Sequence, residues 1–185
     1  MKVLFLTHSF PRFIGDAPGS FILRLAMALK DVDVAVHVVA PAAPGLAPYE
    51  VLEGISVERF RYGPRRFETL AYTGNMAQEA ASSITGKLAL ASFMGAELSR
   101  SAGAKGRFNP DVVHAHWWFP SGLVGATLTS GSRLPLVTTM HGTDVRMAKK
   151  VAVSRPLFRT VMRRSKIATT VSHWLKDEVK QLAPE

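Results

Sequence analysis

Residues 110–144, PDVVHAHWWFPSGLVGATLTSGSRLPLVTTMHGTD, decide the fold. Two short apolar runs, Asp111–His116 and Leu136–Met140, flank a stretch in which Leu123, Val124, Ala126, Thr127 and Leu128 fall at helical spacing. Each run stops abruptly, the first at His116-Trp117-Trp118 and the second at His141-Gly142-Thr143-Asp144. Parallel strands are buried on both faces and read as nearly continuous apolar stretches, and a helix between two of them supplies the crossover that parallel pairing needs. Ligands of such a sheet bind just beyond the carboxyl ends of its strands. The chemistry is therefore expected at His116–Phe119 and His141–Asp144.

The same pattern extends in both directions. Lys2–Leu6 reads as a buried strand, Val34–Ala40 (stopped by Pro41) and Ile167–Val171 read as further strands, and Ile55–Phe60 alternates as a strand near a sheet edge would. Helices are expected over Ser20–Lys30, with Ser20 as cap and Phe21, Leu25, Ala28 and Leu29 on the buried face, and over Pro156–Arg164. A stripe at 76, 80, 84, 88, 91, 94 and 98 marks a longer helical region that Gly86 divides and that residues 103–109 end. Ser172 caps a last helix through Leu182, with Asp177 and Glu178 toward solvent. A Pro/Gly loop fills 41–48 and a basic, turn-rich segment 61–75, with no hairpin signal, repeat or disordered linker. Crossovers between parallel strands are right-handed. The expectation is one α/β domain over residues 1–185, a doubly wound parallel sheet in the order 3-2-1-4-5-6.

Composition narrows the function. The 185 residues are 47% apolar and contain no cysteine, which excludes a disulfide scaffold, a thiolate metal site and a cysteine nucleophile, and suits a reducing compartment. The opening MKVLFLTHSF reads as a core strand rather than a signal peptide, and no apolar run approaches the ~20 residues of a membrane helix, so a soluble or peripheral protein is expected. Basic residues outnumber acidic ones 23 to 14. Arg146, Lys149, Lys150, Arg155, Arg159, Arg163, Arg164 and Lys166 lie in one stretch free of Asp and Glu, and Arg59, Arg61, Arg65 and Arg66 form a second group. Such a field draws phosphate-bearing ligands or an anionic membrane surface. Nucleic acid ranks last, because no aromatic–basic interleaving accompanies the charge.

Four histidines, His8, His116, His141 and His173, fall at strand ends and so on one rim, while His37 and His114 sit within strands as core histidines. His114 and His116 share a side of their strand. Zinc would need His141 or Asp144 as a third ligand, no recognised zinc spacing is present, and no metal is expected. In the loop IGDAPGSF, Gly15 and Gly19 permit close backbone approach before a helix N-terminus that attracts anions. The spacing departs from G-x-G-x-x-G, which argues against a dehydrogenase. Of Trp117, Trp118 and Phe119, one aromatic is expected to pack beneath the loop and another to face the cleft, where it suits a sugar ring or acyl chain. Gly142 lets the chain turn at once and leaves His141 at the rim, with Thr143 and Asp144 as caps; a plain strand-to-helix turn would use the same residues.

Together these residues resemble the N-terminal domain of group 1 (family 4) GT-B glycosyltransferases. Asp111–His116 is similar to the family's D-V-(I/V)-H-x-H strand and Pro135–Asp144 to its P-x-(I/V)-x-T-x-H-G-x-D segment, with Ile167–Ser172 as the next landmark. The resemblance implies the Rossmann-like N-terminal half of a GT-B fold, which holds the acceptor while a C-terminal domain holds the nucleotide-sugar. Transfer would proceed with retention to a glycan or lipid-linked acceptor, with no cofactor and no obligatory metal. It implies a catalytic His141 facing the transferred sugar, Gly15, Gly19 and Ser20 at donor phosphates or acceptor, and a cleft built from His116, Trp117, Trp118, Gly142 and Asp144. The basic stretch looks like a membrane-facing surface, which implies a cytoplasmic protein peripheral at the inner membrane face. In the family the donor-holding E-x7-E pair belongs to the C-terminal domain, which residues 1–185 do not include, so the resemblance implies an isolated domain that does not transfer sugar alone. The alternative is a stand-alone binding domain for an anionic glycan or phospholipid surface.

Overall fold

The computed structural model of the protein describes residues 1–74 and 76–183; Asn75, which ends the basic turn-rich segment, and Pro184 and Glu185 lie outside the described residues. Strands β1 (Lys2–Leu6), β2 (Ala35–Pro41), β3 (Tyr49–Leu52), β4 (Ile55–Phe60), β5 (Val112–His116), β6 (Leu136–Met140) and β7 (Ser165–Thr170) form one sheet in the order β3-β4-β2-β1-β5-β6-β7. Helices α1 (Ser20–Lys30), α2 (Met76–Ser82), α3 (Ile84–Phe108), α4 (Leu123–Leu128), α5 (Thr143–Lys150), α6 (Arg155–Arg164) and α7 (His173–Leu182) connect them. The six expected strands have the expected neighbours and all pair in parallel.

The expectation of no hairpin is corrected. Strand β3 pairs antiparallel with β4 across Glu53-Gly54, both in the left-handed region (φ 51 and 74). That is the two-residue turn matched to strand twist, and glycine occupies only its second position. With β3 outside it, β4 is no edge strand, and every β4 residue except Ser56 is buried.

Alternation along β1 sends Val3 and Phe5 to one face and Leu4 and Leu6 to the other. The first face packs under α1 through Ile22, Leu23 and Ala26. The second packs under α3, α4 and α6 through Phe93, Val124 and Phe158. The apolar faces of two helices differ from expectation. On α1, Phe21 is 44% and Leu25 37% exposed, because the helix is apolar nearly all round and period alone does not choose a side. On α3, Ile84 and Leu88 are 76% and 64% exposed, and the buried line runs through Phe93, Glu97, Ser101 and Ala104. The break falls at Ser83, whose hydroxyl accepts the Gly86 N–H (2.9 Å), rather than at Gly86 itself. Gly86 serves close packing instead: a Cβ there would lie 2.3 Å from the Glu79 carbonyl. Ser172 caps α7 as expected, whereas α1 begins from Gly19 with no side-chain cap from Ser20. Glu178 pairs with Lys149 rather than standing free in solvent. The far edge is open: Lys166–Thr169 of β7 are all exposed.

Of the second arginine group, Arg61, Arg65 and Arg66 are exposed, whereas Arg59 is no surface charge. Arg59 is buried at 1% exposure and reaches Glu50 (2.6 Å), the Tyr72 hydroxyl (3.0 Å) and the carbonyls of Phe10 (3.4 Å) and Pro11 (2.5 Å). Arg61 is paired with Glu68. The Arg59 guanidinium thus ties the β3–β4 hairpin to the loop that follows β1. Removing one member of a buried pair leaves the other charge unpaired, at a cost of about 3–5 kcal/mol. Arg59→Met should lower the unfolding free energy by that much, read as a lower urea midpoint, and Arg59→Lys should recover only part of it, because an ammonium cannot reach all four acceptors. An unchanged midpoint for the Met variant would show that the tie is not structural.

Candidate active site

Strands β1, β5 and β6 end side by side, and their carboxyl ends carry His8, His116-Trp117-Trp118 and His141-Gly142. The Asp144 carboxylate organises the junction. Its Oδ1 accepts the backbone N–H groups of His141 (3.2 Å) and Gly142 (2.9 Å), and its Oδ2 accepts that of Trp118 (3.1 Å). Trp118 Nε1–H donates to the Asp144 carbonyl (2.8 Å). Asp144 therefore caps the strand ends rather than the amides of α5. Burial raises its carboxyl pKa, against the lowering effect of the N–H bonds it accepts. Gly142, at φ 108, makes the turn that no side chain adopts easily.

Trp117 also has positive φ (65), uncommon for a bulky residue and of the kind that collects at functional sites. Its N–H donates to Thr139 O (2.8 Å), and its carbonyl accepts from Gly122 (3.0 Å). This turn sends Trp117 toward the rim and Trp118 into the core. Trp117 packs against His8 (4.2 Å between ring centres), His141 (4.4 Å) and Phe21 of α1 (5.8 Å). Trp118 is fully buried against Phe158, so its expected place in the cleft is corrected: it is an anchor beneath the loop.

Three of the four rim histidines converge. His116 Nδ1 lies 3.2 Å from His141 Nε2 with the rings stacked, and His8 joins through Trp117. His173 is exposed and makes no ring or hydrogen-bond contact with them among the described residues. His114 stacks on His116 (4.4 Å) and bonds Thr139 Oγ1 (2.7 Å), while His37 bonds Glu58 (3.0 Å), so both strand histidines are satisfied. Among the described residues no group of three His, Asp or Glu is arranged to hold a metal.

The imidazoles are neutral. Burial, aided by His141, lowers His8 to about 4, and burial, aided by His114, lowers His141 to about 4. Burial alone brings His114 to about 4. His116 falls further, through burial and then His114, His141 and His8. At pH 7 the rim offers donors, acceptors and ring faces but no positive charge.

In the loop before α1 the two glycines differ in their surroundings. Gly19 (φ 73) is a packing glycine, since a Cβ would lie 2.5 Å from Ser9 O, whereas Gly15 (φ 89) faces open space. A recess of about 90 Å³ at the rim is lined by His8, Trp117, Phe119, Thr143, Asp144 and Met147, with Gly74 and Met76 closing it. A larger concavity of about 380 Å³ lies against α3 and β4, among Arg61, Arg100 and Arg107. It shares no lining residue with the recess at the rim, and these arginines are already paired with Glu68 and Glu58. Sequence reasoning missed Phe21, whose ring is 4.8 Å from that of His141, along with Met76 and Met147. Phe21 was legible only as an apolar helix residue.

All eight residues of the basic stretch, including Arg146, Lys150, Arg155, Arg163 and Arg164, are exposed on α5, α6 and the start of β7. Val151, Val153 and Leu157 stand exposed among them at 43%, 81% and 43%. Lys149 meets Glu178, Arg155 donates to Lys149 O, and Arg159 donates to Leu182 O. No helix among the described residues is long and apolar enough to cross a membrane.

The sequence model described as Glycosyltransferase Family 4 matches residues 19–184. A Bacillus subtilis (strain 168) protein, TuaC, named as a teichuronic acid biosynthesis glycosyltransferase, is 24% identical over 99% of this chain and 47% of its own length. The N-acetyl-alpha-D-glucosaminyl L-malate synthase of Bacillus anthracis is 35% identical over 45% of this chain and 23% of its own. The chain thus spans less than half the length of the curated relatives it matches. Among solved structures, the catalytic domain of starch synthase IV from Arabidopsis thaliana, bound to ADP and acarbose, superposes with a TM-score of 0.57 at 14% identity, over 92% of this chain and 44% of that one. The Streptomyces sp. SF2575 glycosyltransferase SsfS6 gives 0.50 at 13% identity, over 92% and 50%. These likenesses bear out the Rossmann-like α/β fold of a GT-B domain.

The buried ionisable groups set a stability profile. His8, His114 and His141 stay neutral in the fold down to about pH 4, but in the unfolded chain they protonate below the ordinary histidine value of 6.5. Their contribution is complete above 6.5 and lost as pH falls toward 4. Glu97 of α3 acts in the opposite sense. Burial, opposed by Ser121, raises it from 4.5 to about 8, so its contribution is complete below 4.5 and lost as pH rises to 8. Stability should therefore peak near neutral pH, with an alkaline limb that Glu97→Gln removes and an acid limb on which unfolding takes up several protons. Denaturant titrations across pH 4–9 test both limbs; a profile in which Glu97→Gln leaves the alkaline side unchanged would contradict the assignment.

Proposed function

The chain belongs to glycosyltransferase family 4, and on that premise we propose that it forms the acceptor-side half of a retaining enzyme that moves a hexose from a nucleotide-sugar to a glycan or lipid-linked acceptor. The observation that carries this reading is His141. It is a neutral imidazole on a rim of ring faces, backed by His116 and fixed at its backbone by Asp144. A neutral imidazole can give or accept a hydrogen bond from a sugar hydroxyl without binding the phosphates in its place. Phe21, 44% exposed, offers an apolar face on which a pyranose ring stacks, and the buried Trp117 backs it. In this reading the Gly15 backbone, open on its Cβ side, approaches donor or acceptor across the rim, with Ser20 at the start of α1.

A second α/β domain would bring the nucleotide-sugar to this rim, in keeping with relatives about twice as long as this chain. Residues 1–185 by themselves would then bind without transferring. No cofactor or obligatory metal enters the reading. Acting on a lipid-linked acceptor would place the protein at the cytoplasmic membrane face. The exposed cations of α5 and α6, with Val151, Val153 and Leu157 between them, suit such a surface.

In the enzyme that includes the nucleotide-sugar domain, His141→Ala should lower kcat by roughly 10² or more, the scale of losing one preorganised hydrogen-bonding group. Steady-state kinetics read this directly, and near-normal turnover would remove His141 from the mechanism. Each Lys or Arg near an anionic leaflet contributes about 1 kcal/mol. The chain should therefore sediment with phosphatidylglycerol vesicles but not with phosphatidylcholine ones, and should release on reversing Arg159, Arg163 and Arg164 to Glu. Binding that survives the reversal would exclude this surface.

A further inference from the structure

We propose that His116 is a positioning residue that holds His141 in its Nδ1–H tautomer, turning that N–H toward the open rim. The argument begins from proton counting. A neutral imidazole carries one N–H, and only one proton can lie between His116 Nδ1 and His141 Nε2, 3.2 Å apart. If His141 donates, His116 must hold its own proton on Nε2, which is buried without a partner. If His116 donates, that same Nε2 is a bare lone pair. Buried N–H groups without an acceptor are rarer in proteins than buried acceptors that lack a full set of donors. The second arrangement is therefore the stable one. It leaves His141 Nε2 as acceptor and places the His141 proton on Nδ1.

His116 is built to impose this choice. It is 1% exposed, stacked on His114 (4.4 Å, 26° between planes) and met edge-on by Phe5 (4.8 Å, 68°). His114 is in turn engaged through Nε2 with Thr139 and crossed by Phe5 at 5.0 Å. The ring can neither rotate nor accept a second proton, because burial and the surrounding imidazoles of His114, His141 and His8 keep it neutral. His141 is half-buried and the only ring of this chain of contacts that also touches Phe21 and Trp117. In water a neutral imidazole prefers the Nε2–H form, so the Nδ1–H form at neutral pH would carry the mark of His116.

The catalytic consequence rests on the sugar-transfer reading; the tautomer does not. Long-range ¹H–¹⁵N correlation spectra of the ¹⁵N-labelled 185-residue chain at pH 7 report which nitrogen of each histidine is protonated. The expected result is Nδ1–H for both His116 and His141. His116→Asn keeps a donor near the Nδ1 position and should preserve the His141 tautomer, whereas His116→Phe should switch it to Nε2–H. An Nε2–H signal for His141 in the unaltered chain overturns the proposal without any variant, as does an unchanged His141 signal in a folded His116→Phe chain. In the enzyme with its second domain, His116→Phe should lower kcat roughly tenfold to a hundredfold, as loss of a ligand's orienting partner does, with KM little changed and His116→Asn recovering most of it. If the tautomer is as stated but His141→Ala retains activity, the sugar-transfer role fails and the positioning stands. If the tautomer is wrong and His141→Ala is inactive, the reverse holds.

Discussion

The structure depends on one carboxylate shared by two strand ends. Beyond the last ladder bonds of β5 and β6 the chain turns sharply at Trp118 and at His141-Gly142, and the amides released there would be buried without partners. Asp144 accepts all three of them. An unpaired buried N–H costs free energy comparable to the hydrogen bond it lacks, so neither turn is stable without this acceptor. Its placement in the first turn of α5 also suits its charge, because a helix N-terminus favours an anion. The return bond from Trp118 Nε1 to the Asp144 carbonyl locks the two segments in both directions. Trp117 is then held at positive φ, and its ring lies beside that of His141.

Around this joint the protein separates two kinds of surface. The rim is neutral: aromatic faces and imidazoles too buried to take up protons. The cations lie on α5 and α6, away from the imidazoles, with aliphatic side chains among them. Charge and ring faces thus lie on different parts of the domain.

Much of the scaffold was legible in the primary sequence, for a simple physical reason. Strands buried on both faces must be apolar along their whole length, so β1, β2, β5 and β6 announce themselves, and right-handed crossovers leave few ways to order them. Hairpin β3–β4 was not legible, because Glu53-Gly54 carries only half of the usual turn signal and Tyr49–Leu52 is short. Helix faces were the weakest reading. Phe21 and Ile22 are equally apolar, and only the sheet beneath α1 decides which is covered. Arg59 looked like one cation among several until the hairpin and the loop after β1 closed around it.

For the site, the HGTD turn, the His-x-His strand and the adjacent tryptophans are sequence facts, and they alone determined where the candidate site was looked for, at the ends of β5 and β6. Which core each tryptophan joins, which histidines meet and whether they are charged were decided by tertiary structure. The reason is that these properties are relational. Trp117 and Trp118 differ only through the positive-φ turn between them and the partner each finds, and an imidazole is neutral or cationic according to how much water its neighbours exclude. Sequence spacing places a side chain on an element; the packing of several elements sets its burial, its hydrogen-bond partner and hence its protonation.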